Sequence, residues 1–179
     1  MYLLSVLFLI NNVKKKEKTM HKNTINYIVD TTLRDMNIDN TASFKILIKM
    51  TFLMESGLQS TMNESKSKLG FMGIDRVQFA QLVKEYIVPR KTIREKIEDV
   101  SLVDLKADSI DDLIEACIYN IAFQVAITWA AYLARFDSAP DVHPQAAAEK
   151  YLNFWANEYS SDHRIQQCVT LYQNTFNRQ

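Results

Sequence analysis

Hydrophobic residues recur at helical spacing along most of this 179-residue chain. A first helix is predicted to begin near Thr24, and a second is predicted from about Ala42 to Met54. Apolar residues cover much of the second helix, so we expect it to be largely buried and to end at Glu55. The next residues, 57–70, are rich in Ser, Asn, Lys and Gly, which is typical of a loop.

The helical pattern continues through the second half of the chain. Asp75 with Gln78, and Ser109 with Asp112, have the spacing of a capping box and predict two helix starts. The helix that begins at Ser109 is predicted to be the longest, at roughly 27 residues, and its centre at 118–134 carries no charged residue. We therefore expect a mainly α fold, with six or seven helices around a buried central helix. Shorter helices are predicted at 92–99, from 144 and from 162.

Composition and charge narrow the class of protein. Only three Gly and three Pro occur, which argues against a β fold with many turns. The 21 Lys and Arg residues balance the 21 Asp and Glu residues, so no basic excess favours nucleic-acid binding. Cys117 and Cys168 lie in apolar segments and are interpreted as buried thiols. A disulfide between them is the alternative, and it requires that their helices pack together. No cofactor or metal is expected.

The N-terminal segment differs from the rest of the chain. Residues 1–10 are apolar and are followed by four lysines within 14–18. The apolar run is too short to span a bilayer, and it lacks the charge order and cleavage site of a signal peptide. We interpret 1–19 as an appendage that docks on a partner, or as an extension with Met20 as a second start. A short membrane anchor is the alternative. The domain proper is then 20–179.

Glu55 is the first candidate for chemistry. Cleavage of a glycosidic bond requires a carboxylic acid that donates a proton near neutral pH, and apolar surroundings favour the protonated form. The alternative is a helix-end glutamate that is solvated or bonded to a neighbouring backbone group. Glu64, in the loop, is a candidate for a second carboxylate that activates a water, as in inverting glycosidases. The alternative for Glu64 is a solvated loop residue.

The central helix carries a second candidate. Asn120, Gln124 and Thr128 recur every four residues, and Tyr132 continues the row, so the four share one stripe. They can line a polar cleft that holds the N-acetyl and hydroxyl groups of a glycan. Alternatively, each bonds internally to another helix or to a buried water. Aromatic residues crowd 119–159; one or two are candidates for stacking on sugars, and most are expected in the core.

These segments resemble the lysozyme-like superfamily of phage proteins over about residues 42–178. In its lytic transglycosylases, an "ES" glutamate is followed by a serine-containing loop and a "GLMQ" turn. The similar segments here are MESGLQSTMNESKSKLGFMGID, the middle helix YNIAFQVAITWAAYLARF and the closing helix AAAEKYLNFWANEYSS. The glutamine of the turn is Gly73 here, and the "AYNAG" segment of cellular enzymes is absent. The catalytic assignment therefore rests on Glu55.

The resemblance implies a lysozyme-like fold with room for a small β-hairpin within residues 57–75. It implies Glu55 as the general acid and, in a transglycosylase, as the base as well. Its substrate would be the glycan strand of peptidoglycan. The residues expected to shape the cleft or bind sugar are Gly70, Phe71, Met72, Gly73, Asn120, Gln124 and Tyr132.

Two functions follow as expectations. The first is a muralytic enzyme of a phage virion, made in the host cytoplasm and delivered to the periplasm, where it opens the wall during genome delivery. The second is a virion structural component of a tail, baseplate or connector that has lost activity. Near-zero charge and the apolar segment 1–19, as a contact to other virion proteins, fit the second function. An anchored endolysin is a third alternative.

Overall fold

The computed structural model describes residues 22–39, 41–58, 68–136 and 141–177. Within these ranges the chain forms eight α-helices and one two-stranded antiparallel hairpin. The helices are α1 (Lys22–Asp35), α2 (Thr41–Ser56), α3 (Arg76–Gln81), α4 (Lys91–Ser101), α5 (Ile110–Tyr119), α6 (Ile121–Arg135), α7 (Pro144–Lys150) and α8 (Asp162–Tyr172). Short π-helical segments extend α3 (Leu82–Ile87), α7 (Tyr151–Trp155) and α8 (Gln173–Asn177). The prediction of a mainly helical chain is confirmed.

Helix α6 is the centre of the core. Its ten consecutive residues 123–132 are all buried, and it packs against α1, α2, α4 and α5. A helix that is apolar around its circumference has to be covered on every side, which requires neighbours in several directions. The prediction that the uncharged middle of the chain is buried is therefore confirmed for residues 123–132, whereas Tyr119, near the start of the uncharged segment, is 62% exposed.

The prediction of one long helix from Ser109 to about residue 136 is wrong. Helices α5 and α6 meet at Asn120 with a bend of 111°. Asn120 has an extended backbone, its Oδ1 accepts from the Phe123 amide at 3.0 Å, and its Nδ2 donates to the Ser101 carbonyl at 2.7 Å. Because this side chain satisfies an N–H group at the start of α6, it favours a new helix start over continuation. The second helix in this region raises the count above six or seven.

The hairpin lies within the predicted range 57–75. Strand β1 (Lys68–Leu69) pairs with β2 (Ile74–Asp75), with Lys68 opposite Asp75. Asp75 then caps α3, since its Oδ1 accepts from the amides of Val77 at 2.8 Å and Gln78 at 3.4 Å. The hairpin is thereby fixed to a helix at its C-terminal end. Of the two predicted capping boxes, that of Ser109 and Asp112 is present in full. Asp75 caps its helix without a reciprocal hydrogen bond from the Gln78 side chain among the described residues, and Ser161 caps the last helix.

Two further predictions concern the thiols and the N-terminus. Cys117 and Cys168 are both buried and free, as interpreted from the sequence. Residues 1–19 lie outside the described residues. In the described part of the chain no single helix is long and apolar enough to cross a membrane, and only the bent pair of α5 and α6 passes that test together.

Candidate active site around Glu55

Glu55 lies in the last turn of α2, and its side chain is only 7% exposed. Its Oε1 accepts a hydrogen bond from the Tyr151 hydroxyl at 2.9 Å. Its Oε2 accepts from the Lys68 ammonium at 2.8 Å, and the Lys68 side chain is 64% exposed. A nearly buried carboxylate is therefore held between an internal phenol and a solvent-facing cation.

The π-helical segment after α7 supplies two aromatic contacts to this site. Tyr151, its first residue, reaches Glu55, and Trp155, its last, donates Nε1–H to the Met72 carbonyl at 2.7 Å. Such segments are rare and frequently occur at functional sites. Burial, with the nearby Glu55 carboxylate, raises the pKa of Tyr151 well above its ordinary value. The phenol therefore remains a donor to the carboxylate.

The turn of the hairpin fits closely against two polar side chains. Gly73 has a φ of +61°, and a Cβ atom there would lie 2.6 Å from Glu55 Oε2. Gly70 has a φ of +57°, and a Cβ atom there would collide with the side-chain amide of Gln124. Both positions favour glycine for its backbone conformation and allow no side chain in the space present. The absence of a side chain at Gly73 leaves room for the Glu55 carboxylate.

A groove of about 660 Å³ lies beside Glu55. Lys68 and Gly73, which both adjoin the Glu55 carboxylate, line this groove, whereas Glu55 and Tyr151 do not. Amide side chains hydrogen-bond N-acetyl and hydroxyl groups, and aromatic rings offer flat apolar faces to sugars. The groove carries both kinds: Gln78, Gln81, Asn153, Asn157, Phe154 and Trp155.

Gln124 serves the turn rather than the groove. Its side chain is fully buried, its Oε1 accepts from the Phe71 amide at 2.7 Å, and its Nε2 donates to the Ile118 carbonyl at 3.3 Å. Thr128 Oγ1 donates to the Gln124 carbonyl at 2.7 Å. Asn120, which caps α6, likewise bonds internally. These three residues of the polar stripe therefore make hydrogen bonds within the protein, which was the alternative to lining a glycan cleft.

Tyr132 is also internal. It is buried, and its hydroxyl is 2.6 Å from Thr51 Oγ1. Its ring lies 5.3 Å from that of Phe154 and 5.2 Å from that of Trp155, between ring centroids. Burial raises the pKa of Tyr132 well above its ordinary value. Tyr132 therefore supports the two aromatic residues of the groove from behind.

Phe71 and Met72 anchor the turn in the core. Both are buried, and the Phe71 ring stacks on Phe52 with centroids 6.0 Å apart. Of the residues expected to shape the cleft, Gly73 is the one that lines the groove. Glu64 lies outside the described residues. Within the described ranges no group of three or more His, Cys, Asp and Glu side chains is arranged to hold a metal ion.

Sequence reasoning did not identify several residues of the site. Lys68 was part of the polar loop, and Tyr151 was one aromatic among many. Gln78 and Gln81 carried a weak signal, because residues three apart share a helix face. Asn153 and Asn157 carried none of this kind, because Asn157 lies beyond the π-helical segment with a φ of +50°.

No protein-family model, no curated protein and no solved structure gives a significant match to the chain.

Proposed function

We propose that this protein cleaves glycosidic bonds in peptidoglycan, as a muralytic enzyme carried by a phage particle and used during genome delivery. The observation that supports this proposal best is the position of Glu55. It is a nearly buried carboxyl group at the edge of a groove rich in amide and aromatic side chains, and Lys68 and Gly73 belong to both features. The phage particle and the lysozyme-like fold rest on the sequence resemblance.

In the proposed reaction Glu55 donates a proton to the leaving glycosidic oxygen. Tyr151 holds Oε1 and fixes the orientation of the carboxyl group. Oε2, on the side of Lys68 and Gly73, faces the part of the site that adjoins the groove. In a transglycosylase the same Glu55 carboxylate then takes a proton from a hydroxyl group of the sugar, which closes an anhydro ring.

The test is solubilisation of purified bacterial wall by the parent protein and by Glu55→Gln. Glutamine keeps the shape of the side chain and removes the acid, so we expect a loss of roughly 10²–10⁴-fold. Glu149→Gln, an exposed position on α7, is the matched control and should clear wall at the parent rate. Equal clearance by the parent and Glu55→Gln would remove Glu55 from the mechanism.

The products distinguish the two chemistries of the proposed enzyme. Mass spectrometry of the released fragments should show either anhydro ends, from transglycosylation, or reducing ends, from hydrolysis. Fragments released at peptide bonds, with intact glycan strands, would contradict glycosidic cleavage.

The second candidate is a virion structural component without activity. It is favoured by one observation: both oxygens of Glu55 already have protein partners. If neither the parent nor Glu55→Gln releases wall fragments, the result favours this structural role over the enzymatic one. Deletion of residues 1–19 should then weaken incorporation into the particle while the melting temperature of the remaining domain stays nearly unchanged.

A further inference from the structure

We infer that Lys68 is a displaceable lock on Glu55, and that a saccharide bearing a carboxylate releases it. This inference rests on the proposed function. It starts from the two partners of the Glu55 carboxylate, which differ in burial. Tyr151 is buried, while the Lys68 side chain is largely exposed and lines the groove. Lys68 is therefore the partner that a ligand can reach.

The lock opposes the proposed chemistry as long as it is closed. The Lys68 ammonium occupies Oε2 at 2.8 Å, the oxygen nearest the groove lining at Gly73. An oxygen that accepts a hydrogen bond from an ammonium cannot at the same time deliver a proton from that position to a leaving group. Removing Lys68 from Oε2 frees the position from which a proton is delivered.

The groove supplies a reason for Lys68 to leave. Arg135, at the end of α6, also lines the groove and forms no ion pair with any residue in the described ranges. The acidic side chain in the lining, Asp75, is engaged in capping α3. A ligand with a negative group therefore meets two cations in the groove.

A carboxylate of the ligand can take the place of Glu55 as the partner of Lys68. Such an exchange keeps the ammonium paired, while the Glu55 carboxyl keeps its hydrogen bond from Tyr151 and takes up from solvent the proton that a general acid needs, so neither group is left as an unpaired charge. A neutral saccharide of the same shape offers no such exchange and leaves the lock closed. The ligand class predicted for this groove is thus an acidic saccharide, and Lys68 with Arg135 determines the preference.

The test compares two probes that differ in one charge: an N-acetylated disaccharide carrying a lactyl carboxylate, and its methyl ester. Binding is followed through the fluorescence of Trp155, with Trp155→Phe to subtract the signal of Trp129. The parent should bind the acid more tightly than the ester. Lys68→Gln should lose most of this preference, Lys68→Arg should keep it, and Arg135→Gln should reduce it.

Glu55→Gln tests the lock itself. With no carboxylate to hold Lys68, this variant should bind the acid more tightly than the parent, on the order of tenfold, since a charge-assisted hydrogen bond need not be broken first. Its affinity for the ester should equal that of the parent. Glu149→Gln should match the parent with both probes.

Three results would overturn the inference: equal affinity of the parent for acid and ester, binding of neither probe, or no gain for the acid in Glu55→Gln. These measurements do not depend on catalysis. If wall is not cleaved but the preference and the gain are found, the proposed function fails and the lock stands. If Glu55-dependent cleavage is found without preference or gain, the function stands and the lock fails.

Discussion

Two carboxylate–lysine pairs in this protein have opposite arrangements. Between α1 and α2, Lys49 is the buried partner, with a side chain 10% exposed, and it bonds Asp30, which is 46% exposed, at 3.1 Å. At the candidate site the carboxylate of Glu55 is buried and Lys68 is exposed. In the first pair the carboxylate compensates a buried cation. In the second pair the exposed cation covers a buried acid.

The difference separates a structural pair from a candidate functional one. Asp30 is also 3.6 Å from Lys45, and the pair joins neighbouring helices. The Glu55 pair instead joins a helix end to a hairpin and borders a groove. Removing the Asp30 carboxylate should therefore destabilise the protein, because the buried Lys49 ammonium is left without its partner. Removing the Glu55 carboxylate should cost little stability, because Lys68 is exposed to solvent.

The largest effect on stability is expected at Gly73, where the backbone of the hairpin turn lies against the Glu55 side chain. Gly73→Ala combines a left-handed backbone with a collision at Glu55 Oε2, and should lower the free energy of unfolding by roughly 2–4 kcal/mol. Gly57→Ala is the matched control, since Gly57 has a φ of +58° and open space around its missing Cβ. It should lose only the conformational part, about 1 kcal/mol. Equal losses in urea unfolding would show that the contact with Glu55 is not tight.

The next effect compares the two carboxylates directly. Asp30→Asn leaves Lys49 without an ionised partner and should cost roughly 1–3 kcal/mol. Glu55→Gln frees an already solvated Lys68, keeps an acceptor for Tyr151, and should leave stability unchanged or raised, as often happens at functional sites. Urea denaturation of both variants measures this contrast. If Glu55→Gln were the more destabilised protein, Glu55 would be a structural residue.

The smallest effect is a pH dependence at the first pair. Burial lowers the pKa of Lys49 from its ordinary 10.5, and Asp30 opposes that lowering. Between the folded pKa and 10.5 the unfolded chain binds more protons, so the Lys49 contribution to stability rises with pH across that window. In Asp30→Asn the pKa of Lys49 should be lowered further, so the rise of stability with pH should begin at a lower pH.

Unfolding curves measured from neutral pH towards 10.5 test this dependence. Adding Lys49→Met to Asp30→Asn removes the titrating group and should abolish the difference. A difference that persisted in the double variant would assign the pH dependence to another group.

The sequence predicted the fold better than the site, for physical reasons. Apolar periodicity identified α2 and, within the uncharged segment 118–134, the burial of residues 123–132, because a continuous apolar surface has to be covered. It missed the break at Asn120, because a side chain that caps a helix start fits a helical stripe equally well. Glu55 was found through its position after an apolar helix. Its partners Lys68 and Tyr151 lie 13 and 96 residues away, and only the folded chain brings them to it.

A structure of Glu55→Gln bound to a peptidoglycan glycan strand tests the central claim most directly. This variant cannot cleave by the proposed route and should retain the intact strand. The account predicts that the strand lies along the groove beside Trp155, with one glycosidic oxygen within about 3 Å of the side chain at position 55. A strand bound elsewhere, or one whose glycosidic oxygens all lie out of reach of that side chain, would contradict it.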